Sequence, residues 1–520
     1  MPMIHPGWYA TPLKNTVRGL VAVVLTFQSL PLPAESKPAP LPDGLVLKTP
    51  VISEQLTGPF RLLNETLSKG ITPSDNAAVF LVQTFGDEVF EPELHDRSLE
   101  MLGIATLSPT APRFAFLETY IKARGTEPPE NIRLAAMLLQ NSVFAASERV
   151  WTREQFVDVS DYLQTNGAAL DAIVDLANKP RYFAPVLSPD TPASMLSASK
   201  VIERRVPFLA RTLSTRALHR IANNDFAGAM TDLMASHKLA ELLATGSPLD
   251  TSAAQANLAD SFAYRAERAI LEKGKFTGPQ ATTYRTALEQ LPLLLIAARA
   301  ADVGERAILH QELELLKGDE TAIRGFFEVA GEKAAQPAPP APLPAIKWDL
   351  AMKRADEIQD RIVQALSTRD RVAQDKLFDQ LDRDYQTWTD TVDATTRKFA
   401  SSPELDLEAA SKWIGESMAM SLRPLYRQRR ATEDRACIRR DMVLIGLALT
   451  SFQREHGEYP ATLAELAPGY LKSITSEADA IDTLIYVRET PNHVRLLSKG
   501  VNRQDDAGKG YNDDEKLELQ

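Results

Sequence analysis

Apolar residues recur at three- and four-residue steps over most of the chain, the spacing that lays one buried stripe along an α-helix. Phe208 and Leu209, Leu213, Ala217 and Ile221 form one such stripe. The turn sequence Asn223-Asn224-Asp225 ends it, and Phe226, Met230, Leu233 and Leu243 begin the next. Helical spacing continues over about Ser252 to Lys273 and Pro279 to Leu316. From Ala334 to Ala345 the chain then reads AAQPAPPAPLPA. Proline at that density cannot be helix interior, so a polyproline-II spacer or long exposed loop is expected. Trp348 to Phe399 reads as charged helix, with Asp and Arg alternating on a solvated face.

The last ninety residues differ. Ile438, Met442, Ile445, Leu449 and Phe452 make a stripe on a helix expected to stop at Gly457. After Pro460, Thr462-Leu-Ala-Glu465 is a capping-box pattern for a short helix that Pro468-Gly469 ends. Two strand-like runs, Thr483 to Arg488 and His493 to Ser498, flank a turn at Glu-Thr-Pro-Asn. An acidic, glycine-bearing loop from Asn502 to Asp514 precedes a last short strand, Lys516 to Leu519. The fold class expected is mainly α: an irregular helical-hairpin array with a small C-terminal α+β module. Residues from about Pro50 to Leu316 should be mainly helical, with strands chiefly after Ile481.

Composition narrows the function classes. The chain has 520 residues, 44% hydrophobic and 24% charged, with a formal charge of −11. That length favours two or three domains. The acidic balance argues against non-specific nucleic-acid binding, which needs a cationic face to displace counterions. One cysteine, Cys437, excludes an intramolecular disulfide framework and any multi-cysteine metal cluster. It reads as a small residue on a helix face. At the N-terminus, Lys14 and Arg18 precede the short apolar run Gly19 to Phe27 and a Pro/small-residue end. This is the pattern of a secretory signal, cleaved after Ala34 or Ser36, with an uncleaved anchor as the alternative. The expected organisation is signal 1–36, tether 37–46, helical domain 47–333, linker 334–346, charged helices 347–430 and module 431–520. A periplasmic or secreted protein is expected, with no membrane span after signal removal.

Two resemblances enter here. Arg216 to Leu243, with Ala217, Phe226-Ala227-Gly228-Ala229 and Ala240 as small packing positions, resembles a tetratricopeptide-like helical hairpin, though no clean 34-residue repeat is present. In the last sixth of the chain, three segments carry a second resemblance: Leu447 to Leu466 (LALTSFQREHGEYPATLAEL), Pro468-Gly-Tyr-Leu471 and Leu497 to Gly508 (LSKGVNRQDDAG). Their order resembles the periplasmic domain of the major pseudopilin of type II secretion. The remainder, including Gly70 to Ala78 (GITPSDNAA), looks like large exported helical bacterial proteins that end in this module. A pseudopilin begins with a processing site and a long membrane helix. Here the equivalent helix starts deep in the chain, after Arg-Gln-Arg-Arg430, so polymerisation into a pseudopilus is not expected.

The resemblance implies a calcium ion in the acidic loop, with Asp505, Asp506, Asp513 and Asp514 as candidate ligands. Calcium takes six to eight oxygens at flexible geometry, which such a loop can supply. Asn502, where the family often has Asp, and Arg503, where it has glycine, reduce the negative charge; the alternative is a solvated acidic tail. Other motifs fail on order or geometry. Ser197-Ala-Ser-Lys200 and Ser74-Asp75-Asn76 fit two parts of the penicillin-binding signature in reversed order, with no K-T-G after them. No H-E-x-x-H, phosphate loop or dinucleotide fingerprint occurs, so nucleotide-driven chemistry is not expected. His219 and His237 fall on the two arms of the hairpin, where packing or surface placement is expected. Glu312 and Glu314, two apart on a helix, point to different faces and make no acid/base pair. The function expected is a non-enzymatic envelope protein acting through protein–protein contacts. The alternatives are a hydrolase with its site in a groove of the helical region, or a divergent type II secretion component.

Overall fold

The structure is a computed structural model that describes residues 42–52, 56, 58–86, 89–190, 193–327, 345–401, 406–421, 425–472, 484–500 and 515–520. The signal, the first half of the tether, most of the Pro-rich segment and the acidic loop with its four aspartates lie outside the described residues.

The fold is mainly α, with a small C-terminal α+β part. A two-residue strand, β1 (Val46–Leu47), pairs antiparallel with β2 (Ile104–Thr106). The same part of the chain holds α1 (Gly58–Ser68), α2 (Ala77–Phe85), α3 (His95–Leu102), α4 (Leu117–Arg124), α5 (Ile132–Ala146), α6 (Val157–Thr165) and α7 (Gly167–Leu176). The central array follows as α8 (Val201–Ala222), α9 (Phe226–Gly246), α10 (Asp250–Glu272) and α11 (Gly278–Glu289). The expected hairpin is α8–α9, and its turn lies where the polar triplet predicts. Asn224 takes a left-handed φ of 61°, and the Asp225 side chain accepts the Gly228 N–H to cap α9. A Cβ on Gly228 would lie 2.3 Å from that Asp225 carboxylate, so this cap requires glycine. Across the hairpin, Arg216 holds the fully buried Asp232 with two hydrogen bonds of 3.0 and 2.6 Å.

Two helices expected to run on are broken. Leu291-Pro292 ends α11, because proline lacks a donor and restricts the residue before it. Helix resumes at α12 (Ala297–Arg299), passes through a π-helical stretch over Ala300–Glu305 and continues as α13 (Arg306–Lys317). A short α14 (Glu320–Phe327) follows. The charged region splits into α15 (Trp348–Ser367) and α16 (Arg371–Ser401), where the Asp370 side chain accepts the Ala373 N–H and starts a new helix. α17 (Leu407–Ser421) lies against α15, and Gly415 lets the backbones touch: a Cβ there would sit 1.9 Å from the Ala351 carbonyl oxygen.

The last helix, α18 (Tyr426–His456), ends at Gly457 with φ 82°, as its sequence predicts. The Thr462/Glu465 capping box forms, but the element it caps is one 3-10 turn, Leu463–Leu466. Strands β3 (Leu484–Thr490), β4 (His493–Ser498) and β5 (Lys516–Leu519) make an antiparallel sheet in that order, Tyr486 facing Leu496 and Leu496 facing Leu517. Buried residues form two apolar cores. The larger takes in residues from Leu45 to Val303 and also Ile438 to Leu519, so the C-terminal sheet shares its core with the helical array. The second gathers Ala297 to Tyr426. Among the described residues no helix is long and apolar enough to cross a membrane.

Candidate functional site

Where α9, α10, α11 and α18 meet, the apolar core is interrupted by charge. Asp260 and Glu267 stand seven residues apart on α10, two turns, so both project from one face. The other buried residues on and beside that face, Ala253, Ala256, Ala263, Tyr264, Ile270 and Leu271, carry no charge. Between the two carboxylates lies His237 of α9. Its Nδ1 is 2.7 Å from Asp260 Oδ1 and its Nε2 is 2.9 Å from Glu267 Oε1. The Tyr284 hydroxyl, from α11, donates to the same Glu267 oxygen at 2.5 Å. The ring of Tyr264 packs against the imidazole at 4.6 Å. All five side chains are buried.

The geometry sets the protonation. Each ring nitrogen faces a carboxylate oxygen, and neutral imidazole has only one N–H to give. Burial opposes the charged form, but Glu267 and then Asp260 outweigh it and hold the His237 pKa up at about 10. The group is therefore an imidazolium with both N–H bonds committed. It has no lone pair for general-base work. The second Glu267 oxygen, Oε2, is buried without a hydrogen-bond partner among the described residues.

Beside this cluster is a recess of about 20 Å³ reached by His237, Glu241, Asp260, Tyr264, Cys437 and Arg440. That is room for about one water; ligand pockets run to several hundred Å³. Cys437 is buried on its helix face, as expected, and burial pushes its thiol up to about 12, with Asp441 and Asp434 adding to the effect. Burial likewise raises the Glu203, Glu312 and Glu433 carboxyls to about 7. Glu433 accepts the first N–H of α12, from Ala297, at 2.6 Å. Glu312 accepts from the Ser194 hydroxyl at 3.1 Å, while that same oxygen caps the 3-10 turn Met195–Ser197.

The residues singled out in the sequence separate in space. His219 stacks on Trp151 at 4.3 Å and is only partly buried, whereas His237 turns to α10. Asn76 is structural: its Oδ1 accepts from Ala78 and Phe183, and its Nδ2 donates to the Phe183 carbonyl. Ser197 bonds Ser188. Asp505, Asp506, Asp513 and Asp514 lie outside the described residues. Sequence reasoning passed over Asp260, Glu267 and Tyr284. The signal was present as two carboxylates on a helix face that is otherwise apolar, a placement that requires a partner.

A second feature is apolar. Along the outer face of α5, Leu134, Met137, Leu138 and Phe144 are 46 to 56% exposed. Their spacing puts all four within one stripe. Ala136, Leu139, Val143 and Ala146 on the opposite face are buried in the larger core. Arg211 lies over the Phe144 ring, 5.0 Å from its centroid. No protein-family model, no curated protein and no solved structure matches the chain.

Proposed function

We propose that this is an exported cell-envelope protein that works by protein–protein contact, a helical scaffold whose C-terminal part is a pseudopilin-like module. The observation that carries the contact reading is the α5 stripe. Four large apolar side chains, about half exposed and set along a helix of 15 residues, are two-sided design: one face packs the core, the other meets another protein. The occupant that fits is an apolar helix of a partner protein, laid along α5 with anchors one turn apart. Arg133 beside Leu134 and Arg211 over Phe144 favour carboxylates at that helix's edge.

The hydrolase alternative draws on Glu312 and Ser194. The Ser194 hydroxyl oxygen already serves as a helix cap, and the imidazolium of His237 is not a base, so support for this reading is weaker.

The test is site-specific crosslinking in the envelope of the producing cell. A photoreactive residue at position 138 should give one discrete adduct, and Leu134→Glu should abolish it without changing the melting temperature. The same probe at Val372, 66% exposed but on α16, should give none. Equal adducts at both positions, or an adduct indifferent to Leu134→Glu, would sink the proposal.

A further inference from the structure

The apolar stripe on α5 has a polar midpoint. Gln140 and Asn141 are exposed, and both stand one helical turn from Met137 and Phe144, on the same face. A side-chain amide carries both donors and an acceptor, so it is its own complement. Two copies that meet at such a residue satisfy each other. An amide set in an apolar seam also fixes register, because a slip leaves it against hydrocarbon.

The charges at the two ends of the helix complement each other. Glu130 and Arg133 stand at its start, Glu148 and Arg149 just past its end, and all four are exposed. Glu130, Arg133 and Arg149 form no ion pair among the described residues, and Glu148 reaches only Arg265, at 3.4 Å. A second α5 laid antiparallel, with a two-fold axis between Gln140 and Asn141, sets Met137 of each copy against Phe144 of the other. Arg133 is one turn before Met137, and Glu148 is the same step after Phe144. The same register therefore sets Arg133 against Glu148 and brings Glu130 toward Arg149. A parallel pairing would set each charge against its like, which repels. Arg211 belongs to the end that receives Glu130. It lies between the Phe144 ring at 5.0 Å and the Phe262 ring at 4.2 Å, with its Nε buried without an acceptor.

We propose that the helix covering α5 is α5 of a second copy of this chain, antiparallel about a two-fold axis at Gln140 and Asn141. The inference rests on the contact reading above and names its partner. In a two-fold interface one patch must complement itself. The α5 face does so three times over, in its apolar anchors, in its central amides and in its terminal charges. One helix face is a small interface, so association in the micromolar range is expected.

The experiment is sedimentation velocity of the purified full chain over about 1 to 100 μM, where a monomer–dimer equilibrium is expected. Leu134→Glu should weaken it at least about tenfold, and Arg133→Glu should weaken it several-fold by setting like charges across the axis. Arg133→Glu combined with Glu148→Arg should recover it. These positions are exposed, so the variants are expected to fold, and circular dichroism checks that they do. A second arm treats Asn141→Cys with a short bismaleimide. A two-fold axis brings position 141 beside its own mate, so a product of twice the chain mass is expected. Val372→Cys should give none, and the native Cys437 is buried. A chain that stays monomeric, a dimer indifferent to Leu134→Glu, or a charge swap that recovers nothing overturns the proposal. In the monomeric case the envelope crosslink at position 138 separates the two readings. An adduct of another mass leaves protein contact standing with a different partner, and no adduct removes both.

Discussion

Glu267→Gln tests the charge bracket around His237, and its effect should depend on pH in a defined direction. An ordinary imidazole titrates near 6.5, while this one is held up at about 10. A group with a raised folded pKa contributes stability that is fully present below its unfolded value and is lost as pH rises through its folded value. The window is therefore pH 6.5 to 10. At about 1.4 kcal/mol per unit, the bracket is worth at most about 5 kcal/mol across it. Of the neighbours around the recess, only Glu433 overlaps the window, at its lower end, and it is common to both proteins. Tyr264 and Tyr284 are pushed well above their usual value, Cys437 is raised to about 12, and Glu433 changes charge between its ordinary range and about 7. Glutamine keeps an acceptor for the Nε2–H but removes one of the two negative charges, so the His237 pKa falls and the window narrows. At pH 6 the variant should lose about 3 kcal/mol, the scale of breaking a buried ion pair. That penalty should shrink toward pH 10, where His237 is half deprotonated in the parent and already neutral in the variant. Urea unfolding followed by far-ultraviolet dichroism at one-unit intervals from pH 6 to 10 measures it. A penalty that is the same at every pH would show that His237 carries no extra proton in the folded state, and the reasoning would fall.

Three further outcomes are expected. Cys437 should resist alkylation by iodoacetamide at pH 8 in the native protein and react only after urea is added, because its thiol is buried and its pKa raised to about 12. Glu203→Gln should be more stable than the parent at pH 8 relative to pH 4.5, by up to about 3 kcal/mol in urea unfolding. The sign follows because burial raises the Glu203 carboxyl to about 7, so the parent loses stability as pH climbs through that value. If the acidic loop takes calcium through Asp505, Asp506, Asp513 and Asp514, a chelator should lower the melting temperature of the full chain, and Asp513→Ala should remove that sensitivity. Unchanged melting with chelator would leave a solvated acidic tail.

What could be read from the sequence follows how local each determinant is. The α8–α9 turn was legible because Asn224 and Asp225 act within four residues of themselves, through a left-handed φ and a helix cap. Gly457 and the three C-terminal strands were legible for the same reason. The break at Pro292 was missed because the apolar run Leu291 to Ile296 keeps a helical spacing while the proline forbids the helix. The Asp260–His237–Glu267 cluster was missed for a different reason. Its members lie 23 and 30 residues apart along the chain and meet only when α9 and α10 pack. Periodicity places a side chain on a face but not against a particular partner. The α5 stripe escaped notice because apolar residues on both faces read as a buried helix.

The helix α18 is a single rod of 31 residues, about 46 Å long. Tyr426 at its start belongs to the second core, while Ile438, Met442, Ile445 and Leu449 belong to the first. Gly446 brings its middle so close to β5 and α10 that a Cβ would sit 2.6 Å from Leu517 and 3.0 Å from Leu271. Neither core can melt without stripping one end of this rod, and a half-stripped helix would expose the backbone of the part left behind. Thermal unfolding of the two cores is therefore coupled into one event.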